Sequence, residues 1–289
     1  MISFIISSYR EDYFRSLTES IEDTTTCSYE IIRIENKGLY SLSQAYNQGA
    51  AKAKYEFLCF IHEDVLIHTP QWNQFVLQRF DADERLGIVG LAGSQMTTNL
   101  PIGWTTGLAR YDKRHLLQRF RDGRSVLQST QDKGALFDEV EVLDGLLLFT
   151  RKTIWEKYRF DEEIGGFHFY DLDFSKRVAN DYKLCISYAI VIEHFSEGTF
   201  DSNWLQASLE YHTKHNKSLT HKPNRDHLRI IRKTWYTHLG QYDISLVLKL
   251  RFLVAMGTDW STMKQAVKFL FSGVIRLSTI RWGPRLFNP

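Results

Sequence analysis

The sequence predicts an α/β protein with a doubly wound, mostly parallel sheet and a helical C-terminal extension. Short apolar runs alternate with amphipathic helical patterns over residues 2–92, which is typical of such a sheet. Several of these runs end in polar residues, and open α/β sheets bind ligands at the carboxyl edge of their strands. From residue 226 the chain becomes helical in pattern, apolar and basic. We therefore predict a catalytic domain at residues 1–225 and an extension at 226–289.

The alternating part sets the order of the predicted elements. These are strand Ile2–Ile6, helix 11–23, strand Tyr29–Ile34, helix 42–50, a strand ending at Ile61, helix 71–80 and strand Gly87–Ala92. Further strands are predicted at Val140–Leu143, Leu146–Phe149 and Leu184–Ile192, followed by a helix at 204–215.

The segment 93–133 interrupts this alternation. It is polar and rich in Gly, Thr, Arg and Gln, and a loop of this length is often functional. We expect Trp104 and Arg110 within it to close over a bound ligand, because loops of this kind order on binding and exclude water.

The composition is that of an ordinary globular protein. The 289 residues are 43% apolar and 24% charged, and a net charge of +2 is too weak to indicate a nucleic-acid partner. The three cysteines form no close pair, which predicts free thiols in a reducing compartment. No signal peptide precedes the first strand, and no apolar run is long enough to span a bilayer, so we expect a cytoplasmic protein.

Two groups of carboxylates stand where chemistry is expected. His62, Glu63 and Asp64 follow a buried apolar run, while Asp171 and Asp173 open a predicted helix, where the helix dipole favours negative charge. One group can hold a divalent metal and the other can take a proton. The alternatives remain that Asp64 only ends a strand, and that Asp171 and Asp173 only complement the helix terminus.

The order of these motifs resembles glycosyltransferase family 2 over about residues 2–200. The motifs are Ser7-Ser8-Tyr9, Glu35-Asn36, Asn47-Gln48-Gly49, His62-Glu63-Asp64, Asp144-Gly145-Leu146, Arg151-Lys152, Phe160-Asp161 and Tyr170-Asp171-Leu172-Asp173. The resemblance implies the GT-A fold. It also implies a metal-dependent, usually inverting transfer of a sugar from a nucleotide-sugar donor to an acceptor hydroxyl.

The resemblance assigns the metal, Mn²⁺ or Mg²⁺, to Asp64. The family usually has Asp-x-Asp, and His62 replaces the first Asp here, so the contact at that position stays open; imidazole suits Mn²⁺ better than Mg²⁺. His194 is the third expected ligand, with a structural histidine as the alternative. Asp171 takes the place of the catalytic base, where Glu-Asp is usual and this chain has Tyr170-Asp171.

The resemblance also assigns substrate contacts. Ser7, Tyr9, Glu11 and Asn36 are expected around the nucleobase and ribose, and further contacts are assigned to Asn47, Glu63, Asp144, Gly145, His168, Tyr170 and Asp173. Three of these have simpler explanations as well. Glu11 suits the first turn of a helix, Asp144 with Gly145 suits a turn, and Asp173 is expected to cap or brace its helix.

The expected acceptor is a glycan or a lipid-linked glycan. In the extension, an apolar stripe at helical spacing has basic flanks and predicts contact with an anionic membrane surface or a homo-oligomer; it comprises Met263, Val267, Leu270, Phe271, Val274 and Leu277. A helical hairpin packed on the catalytic domain is the alternative. For the whole chain, a nucleotidyltransferase and a non-catalytic binder of sugar nucleotides or glycans are the rival functions.

Overall fold

The computed structural model describes residues 1–132, 134–215 and 223–272. The chain forms two compact units. Unit 1 comprises residues 1–95 and 113–197, and unit 2 comprises residues 96–112 and the described residues from 198 onward. The domain boundary expected at residue 226 stays a prediction.

The elements follow the predicted alternation, with small shifts at their ends. The strands are β1 (Ile2–Ser8), β2 (Tyr29–Glu35), β3 (Phe57–Ile61), β4 (Val65–Ile67), β5 (Leu86–Gly90), β6 (Ala92–Ser94), β7 (Asp112–Arg119), β8 (Ser125–Ser129), β9 (Phe137–Val140), β10 (Val142–Leu143), β11 (Leu147–Arg151), β12 (Lys183–Ser187) and β13 (Ile192–His194). The helices are α1 (Glu11–Thr24), α2 (Leu42–Lys52), α3 (Trp72–Ala82), α4 (Lys152–Tyr158), α5 (Tyr170–Val178), α6 (Ser202–Lys214), α7 (Arg225–Leu239), α8 (Leu246–Ala255) and α9 (Met263–Leu270).

Seven strands form the main sheet of unit 1, in the order β2-β1-β3-β11-β5-β12-β9. β1 is parallel to β2 and β3, and β12 is parallel to β5. β11 is antiparallel to both of its neighbours, β3 and β5, and β9 is antiparallel to β12. The sheet is therefore more mixed than predicted. Leu147–Phe149 are buried, and a short apolar run looks the same in either strand direction.

The segment 93–133, expected to be a long loop, contains strands of a second sheet. β7 and β8 form an antiparallel hairpin in which His115 lies opposite Ser129. The order of this sheet is β10-β6-β7-β13-β4, with β8 paired to β7. β8 is largely exposed, and its two apolar residues, Val126 and Leu127, are adjacent, so they do not show the alternation of a half-buried strand.

The strand predicted at Leu184–Ile192 is two strands in different sheets. β12 belongs to the main sheet and β13 to the second sheet. Tyr188 and Ile190, in the connection between them, are buried, so the apolar pattern continues where the strand does not. This change of sheet places His194 beside Asp64, because β13 pairs with β4 and His194 lies opposite Val65.

Close packing beneath the sheet explains the Asn47-Gln48-Gly49 motif. Helix α2 begins with a capping box between Ser41 and Gln44. A Cβ atom at Gly49 would lie 2.4 Å from Ile5 Cγ2 on β1, so only glycine allows this approach of helix to strand. Elsewhere in the core the predicted free thiols are confirmed, and Cys59 and Cys185 are buried.

Unit 2 is helical in its C-terminal part, with an aromatic interior. Trp204 of α6 stacks on Trp235 of α7 with ring centroids 5.3 Å apart, and Tyr236 stacks on Phe269 of α9 at 5.9 Å. No helix within the described ranges is long and apolar enough to cross a bilayer. The predicted stripe residues Val274 and Leu277 lie outside those ranges.

Candidate active site

The polar triplet His62-Glu63-Asp64 lies between the ends of β3 and β4. The backbone N–H of His62 donates to Leu146 O at 3.1 Å, and that of Phe195 donates to Asp64 O at 3.0 Å. These bonds tie the triplet to the turn before β11 and to the end of β13. The carboxyl edge of β3 thus meets two other segments that carry predicted site residues.

His62, Asp64 and His194 converge. One ligand atom from each can be chosen so that all three lie within 4.8 Å of one another, and this is a group of the kind that holds a metal ion. His62 Nδ1 is 4.0 Å from Asp64 Oδ1, and His194 Nε2 is 3.6 Å from Asp64 Oδ2. Burial lowers the pKa of His194, with the Asp64 charge acting in the opposite direction. A neutral imidazole is the form that binds a metal.

The far nitrogens of both histidines have protein partners. His62 Nε2 lies 2.8 Å from the Tyr170 hydroxyl, and His194 Nδ1 lies 3.4 Å from Gln118 Oε1. The near nitrogen of His194, Nε2, also lies 3.0 Å from Ser196 Oγ. Partners of this kind orient metal-binding histidines in known sites. Two imidazoles and a carboxylate with such support fit a divalent transition metal.

Asp171 opens helix α5 beside this group. Its carboxylate accepts backbone N–H groups from Gly145 and Leu172, each at 2.8 Å. Burial, and next the charge of Asp144, raise its pKa to about 7. A carboxylate with its pKa near neutrality is suited to accept a proton at physiological pH.

Tyr170 and Gly145 connect Asp171 to His62. The Tyr170 hydroxyl donates to Gly145 O at 3.2 Å, while Gly145 N–H donates to Asp171. A Cβ at position 145 would lie 2.0 Å from the Tyr170 hydroxyl oxygen, so glycine is required there. Asp144 closes the turn by accepting the Leu146 N–H at 2.9 Å. The Asp144-Gly145-Leu146 motif therefore connects the predicted metal centre to the predicted base through hydrogen bonds.

Asp173 has a different environment from Asp171. It is 2% exposed and accepts from Arg177 Nε at 2.6 Å, and Arg177 also donates to the carbonyls of Tyr158 and Arg159. Asp173 thus makes the bracing contact expected of it.

The residue before the helix, Phe169, has a left-handed backbone with φ of 66°. Such a conformation is unfavourable for a non-glycine residue and persists only where packing enforces it; Phe169 is buried.

Of the predicted contacts at the ends of β1 and β2, Ser7 and Asn36 are bonded to each other. Asn36 Nδ2 donates to Ser7 Oγ at 3.1 Å, and its Oδ1 accepts the Tyr40 N–H at 3.0 Å. Glu11 is exposed and pairs with Arg33 at 2.7 Å. Burial and the charges of Glu63 and Asp64 raise the pKa of Tyr9, whose ring is largely exposed.

Glu63 and Asn47 hold the backbone of the site. Glu63 is buried and accepts the N–H groups of Tyr9 and Arg10, at 3.2 Å from Oε2 in each case. Asn47 Oδ1 accepts from Phe160 N and Trp155 Nε1, each at 3.0 Å. Their assignment to substrate stays a prediction, as do those of Ser7, Tyr9, Glu11, Asn36, Asp144, Gly145, His168, Tyr170 and Asp173. His168 is partly buried in the loop before α5.

Two residues that contact His194 in this cluster were not predicted from the sequence. Gln118 and Ser196 contact His194, yet Gln118 lies in the segment expected to be a loop, and neither belongs to a motif. Only the pairing of β7 with β13, which sets Gln118 opposite His194, brings them there. Trp104 and Arg110 lie in unit 2, with Arg110 exposed over the Tyr111 ring, and their closure over a ligand stays a prediction.

Comparison with known proteins identifies the family. The sequence profile described as "Glycosyltransferase like family" matches residues 3–222. The chain belongs to this glycosyltransferase-like family. No protein with a curated description matches the chain in sequence.

Solved structures show the same fold for this glycosyltransferase. S. aureus TarS 1-349 in complex with UDP superposes with a TM-score of 0.55 at 10% identity, covering 94% of this chain and 89% of that chain. The same protein in complex with UDP-GlcNAc gives a TM-score of 0.50 at 12% identity, covering 94% and 90%. The profile match confirms the predicted glycosyltransferase family, and these structures confirm the GT-A fold.

Proposed function

We propose that this glycosyltransferase moves a sugar from a nucleotide-sugar donor to an acceptor hydroxyl, with inversion at the anomeric carbon and dependence on a divalent metal. The observation that carries the proposal is the convergence of His62, Asp64 and His194 next to Asp171. A nucleotide-sugar donor is supported by the neighbours crystallised with UDP and with UDP-GlcNAc, which share its fold. The proposed acceptor is a glycan or a lipid-linked glycan.

Asp171 is the proposed base. With a pKa of about 7, it is partly ionised at neutral pH, and its ionised carboxylate takes the proton from the acceptor hydroxyl as the oxygen attacks the anomeric carbon. Attack opposite the departing nucleoside diphosphate breaks the glycosidic bond to phosphate and inverts the configuration. The Gly145 and Leu172 N–H groups hold the carboxylate in place during this step.

His62, Asp64 and His194 are the proposed metal ligands. A divalent ion, when bound, neutralises charge on the leaving diphosphate. The two imidazoles favour Mn²⁺ over Mg²⁺, because Mg²⁺ prefers an all-oxygen shell. The remaining rival is a non-catalytic binder of sugar nucleotides, and turnover measured against a panel of donors separates it from an enzyme.

Donor binding tests the proposal directly. Thermal shift with UDP-, GDP- and dTDP-sugars in Mn²⁺ should show stabilisation by one of them, and EDTA should remove it. Asp64→Ala should remove the same stabilisation, whereas Asp122→Asn, an exposed carboxylate paired with Arg124, should keep it. Equal donor affinity with and without EDTA contradicts the metal assignment.

We also propose that unit 2 places the enzyme on an anionic membrane surface. Helices α8 and α9 and their connection expose large apolar side chains; Val254 is 82% exposed and Trp260 90%. The other exposed members are Leu246, Val247, Leu250, Met263, Val267 and Phe271. An exposed tryptophan beside amphipathic helices is typical of interfacial binding.

The charge on these helices favours lipid over a second copy. α8 and α9 contain four basic residues and no acidic residue. Lys249 is buried and donates to Ser272, which leaves Arg251, Lys264 and Lys268 exposed. Each basic residue near an anionic leaflet contributes about 1 kcal/mol. A symmetric dimer through the same face would instead bring like charges together.

Flotation with the full chain tests this surface. The protein should float with anionic vesicles at low salt, and should float less at high salt or with neutral vesicles. Arg251→Glu/Lys264→Glu and Trp260→Ala should weaken flotation, whereas Lys52→Glu/Lys54→Glu, an equal charge change in unit 1, should not. If the protein is a monomer that does not bind anionic vesicles, the packed helical hairpin is the remaining interpretation. If light scattering shows a dimer, the homo-oligomer is favoured.

A further inference from the structure

The tautomer of His62 is set by Tyr170. The Tyr170 hydroxyl lies 3.2 Å from Gly145 O and 2.8 Å from His62 Nε2, and it has one hydrogen to donate. Gly145 O can only accept, so both contacts are hydrogen bonds only when that hydrogen goes to Gly145 O. The hydroxyl oxygen must then accept from His62 Nε2, 2.8 Å away. His62 therefore carries its proton on Nε2. Its Nδ1, which faces Asp64 Oδ1 at 4.0 Å, is unprotonated in the neutral ring.

The tautomer of His194 is set by Gln118 in the same manner. The Gln118 amide nitrogen is surrounded by the carbonyl oxygens of Arg119, His194 and Ser196, at 3.0, 3.2 and 2.8 Å. These three acceptors fix the orientation of the amide, so its oxygen is the atom that faces His194 Nδ1. Nδ1 therefore carries the proton. Nε2 is unprotonated; it accepts from the Ser196 hydroxyl at 3.0 Å and faces Asp64 Oδ2 at 3.6 Å.

Both histidines thus turn a lone pair toward the same carboxylate. Neither interaction has a proton between nitrogen and oxygen, and lone pairs alone give no attraction between these groups. The arrangement is favourable when a cation is shared by the three ligands. We infer that Tyr170 and Gln118 are positioning residues that hold the two histidines in their metal-binding tautomers. This inference rests on the proposed metal centre.

The chain offers matched controls for both residues. Tyr236 of α7 is buried, and its hydroxyl bonds to Thr258 Oγ1 at 2.7 Å. Tyr236→Phe therefore removes a buried, hydrogen-bonded tyrosine hydroxyl without removing the bond to His62. Gln128 lies on the neighbouring strand β8 and bonds to Arg114, so Gln128→Met is the counterpart of Gln118→Met.

Two measurements decide the inference. Nitrogen-15 NMR of the metal-free protein, at a pH where both rings are neutral, reports the tautomers of His62 and His194. Mn²⁺ binding by calorimetry reports affinity. Tyr170→Phe should mix the tautomers of His62, Gln118→Met should mix those of His194, and each should weaken Mn²⁺ binding about 10- to 100-fold. Tyr236→Phe and Gln128→Met should change neither quantity.

A folded variant that keeps both the wild-type tautomer and the wild-type Mn²⁺ affinity overturns the role of the residue it replaces. If Tyr170→Phe does not fold, Gln118→Met decides, since Gln118 is only partly buried on β7. If the wild-type protein binds no Mn²⁺, the proposed metal centre fails. The tautomers in the metal-free wild type and variants still decide what Tyr170 and Gln118 do.

Discussion

Helix α5 carries two carboxylates, Asp171 and Asp173, whose surroundings differ. Asp173 points to Arg177, which holds it through a charged hydrogen bond of 2.6 Å. Asp171, two residues earlier, accepts the backbone N–H groups of Gly145 and Leu172, and burial and the charge of Asp144 raise its pKa. One face pairs its carboxylate with a cation, and on the other face burial and a like charge make the carboxylate basic. The surroundings of each carboxylate, rather than the residue type, separate structure from chemistry here.

The largest effect on the transfer rate is expected from replacing Asp171. Asp171→Asn should lower the transfer rate at least about 10²-fold, the usual scale for loss of a general base, because an amide cannot take the acceptor proton. Donor affinity should stay close to that of the wild type. Steady-state transfer and donor titration measure the two quantities. Near-normal transfer would reassign the base, with Asp173 as the next residue to replace.

Replacing Asp173 should lower the stability of the protein rather than its transfer rate. Asp173→Asn removes the charged partner of Arg177, and we expect a loss of about 2 kcal/mol in the free energy of unfolding. Urea denaturation of the enzyme measures it. Asp181→Asn is the control, since Asp181 pairs with Lys157 on the surface and should change stability little. Unchanged stability in Asp173→Asn would remove the contrast between the two faces.

The sequence predicted the parts of this site that lie at element ends. Asp64 follows an apolar run and Asp171 opens a helix, and both signals are local, so they could be read without the fold. Periodicity does not record strand direction or sheet membership. The antiparallel β11 and the split between β12 and β13 were therefore missed, and with them the reason why His194 reaches Asp64.

Gln118 shows where sequence reasoning ends. It lies on β7, a strand with polar residues in a segment that resembles a loop, and its approach to His194 depends on pairing with a strand about 75 residues later in the chain. Long-range pairing leaves no local pattern. Gly145 is intermediate: its turn could be predicted, but the clash that any side chain would make with Tyr170 is visible only in the packed structure.

Asp144 provides a test of what makes Asp171 basic. Asp144→Asn removes a negative charge that raises the pKa of Asp171, while the amide oxygen can still accept the Leu146 N–H. The base must be ionised to act, so the rate rises with pH through the pKa. The midpoint of the rising limb of kcat/KM should move to lower pH in the variant. An unmoved midpoint would mean that burial alone raises the pKa.

The last test concerns the pH dependence of stability that Asp171 contributes. Its pKa is about 7 in the folded protein and near 3.8 in the unfolded chain, so the folded state binds the proton more tightly. As pH rises through this window, the unfolded chain ionises first and the wild type loses stability; above about pH 7 the loss is complete. Asp171→Asn has no such group.

The free energy of unfolding of Asp171→Asn, relative to that of the wild type, should therefore increase between about pH 4 and pH 7 and then level off. Urea denaturation of both proteins at several pH values measures this difference, in which the titration of all other groups cancels to a first approximation. A flat difference for Asp171→Asn would show that this carboxylate has an ordinary affinity for its proton, and the distinction between the two faces of α5 would then rest on geometry alone.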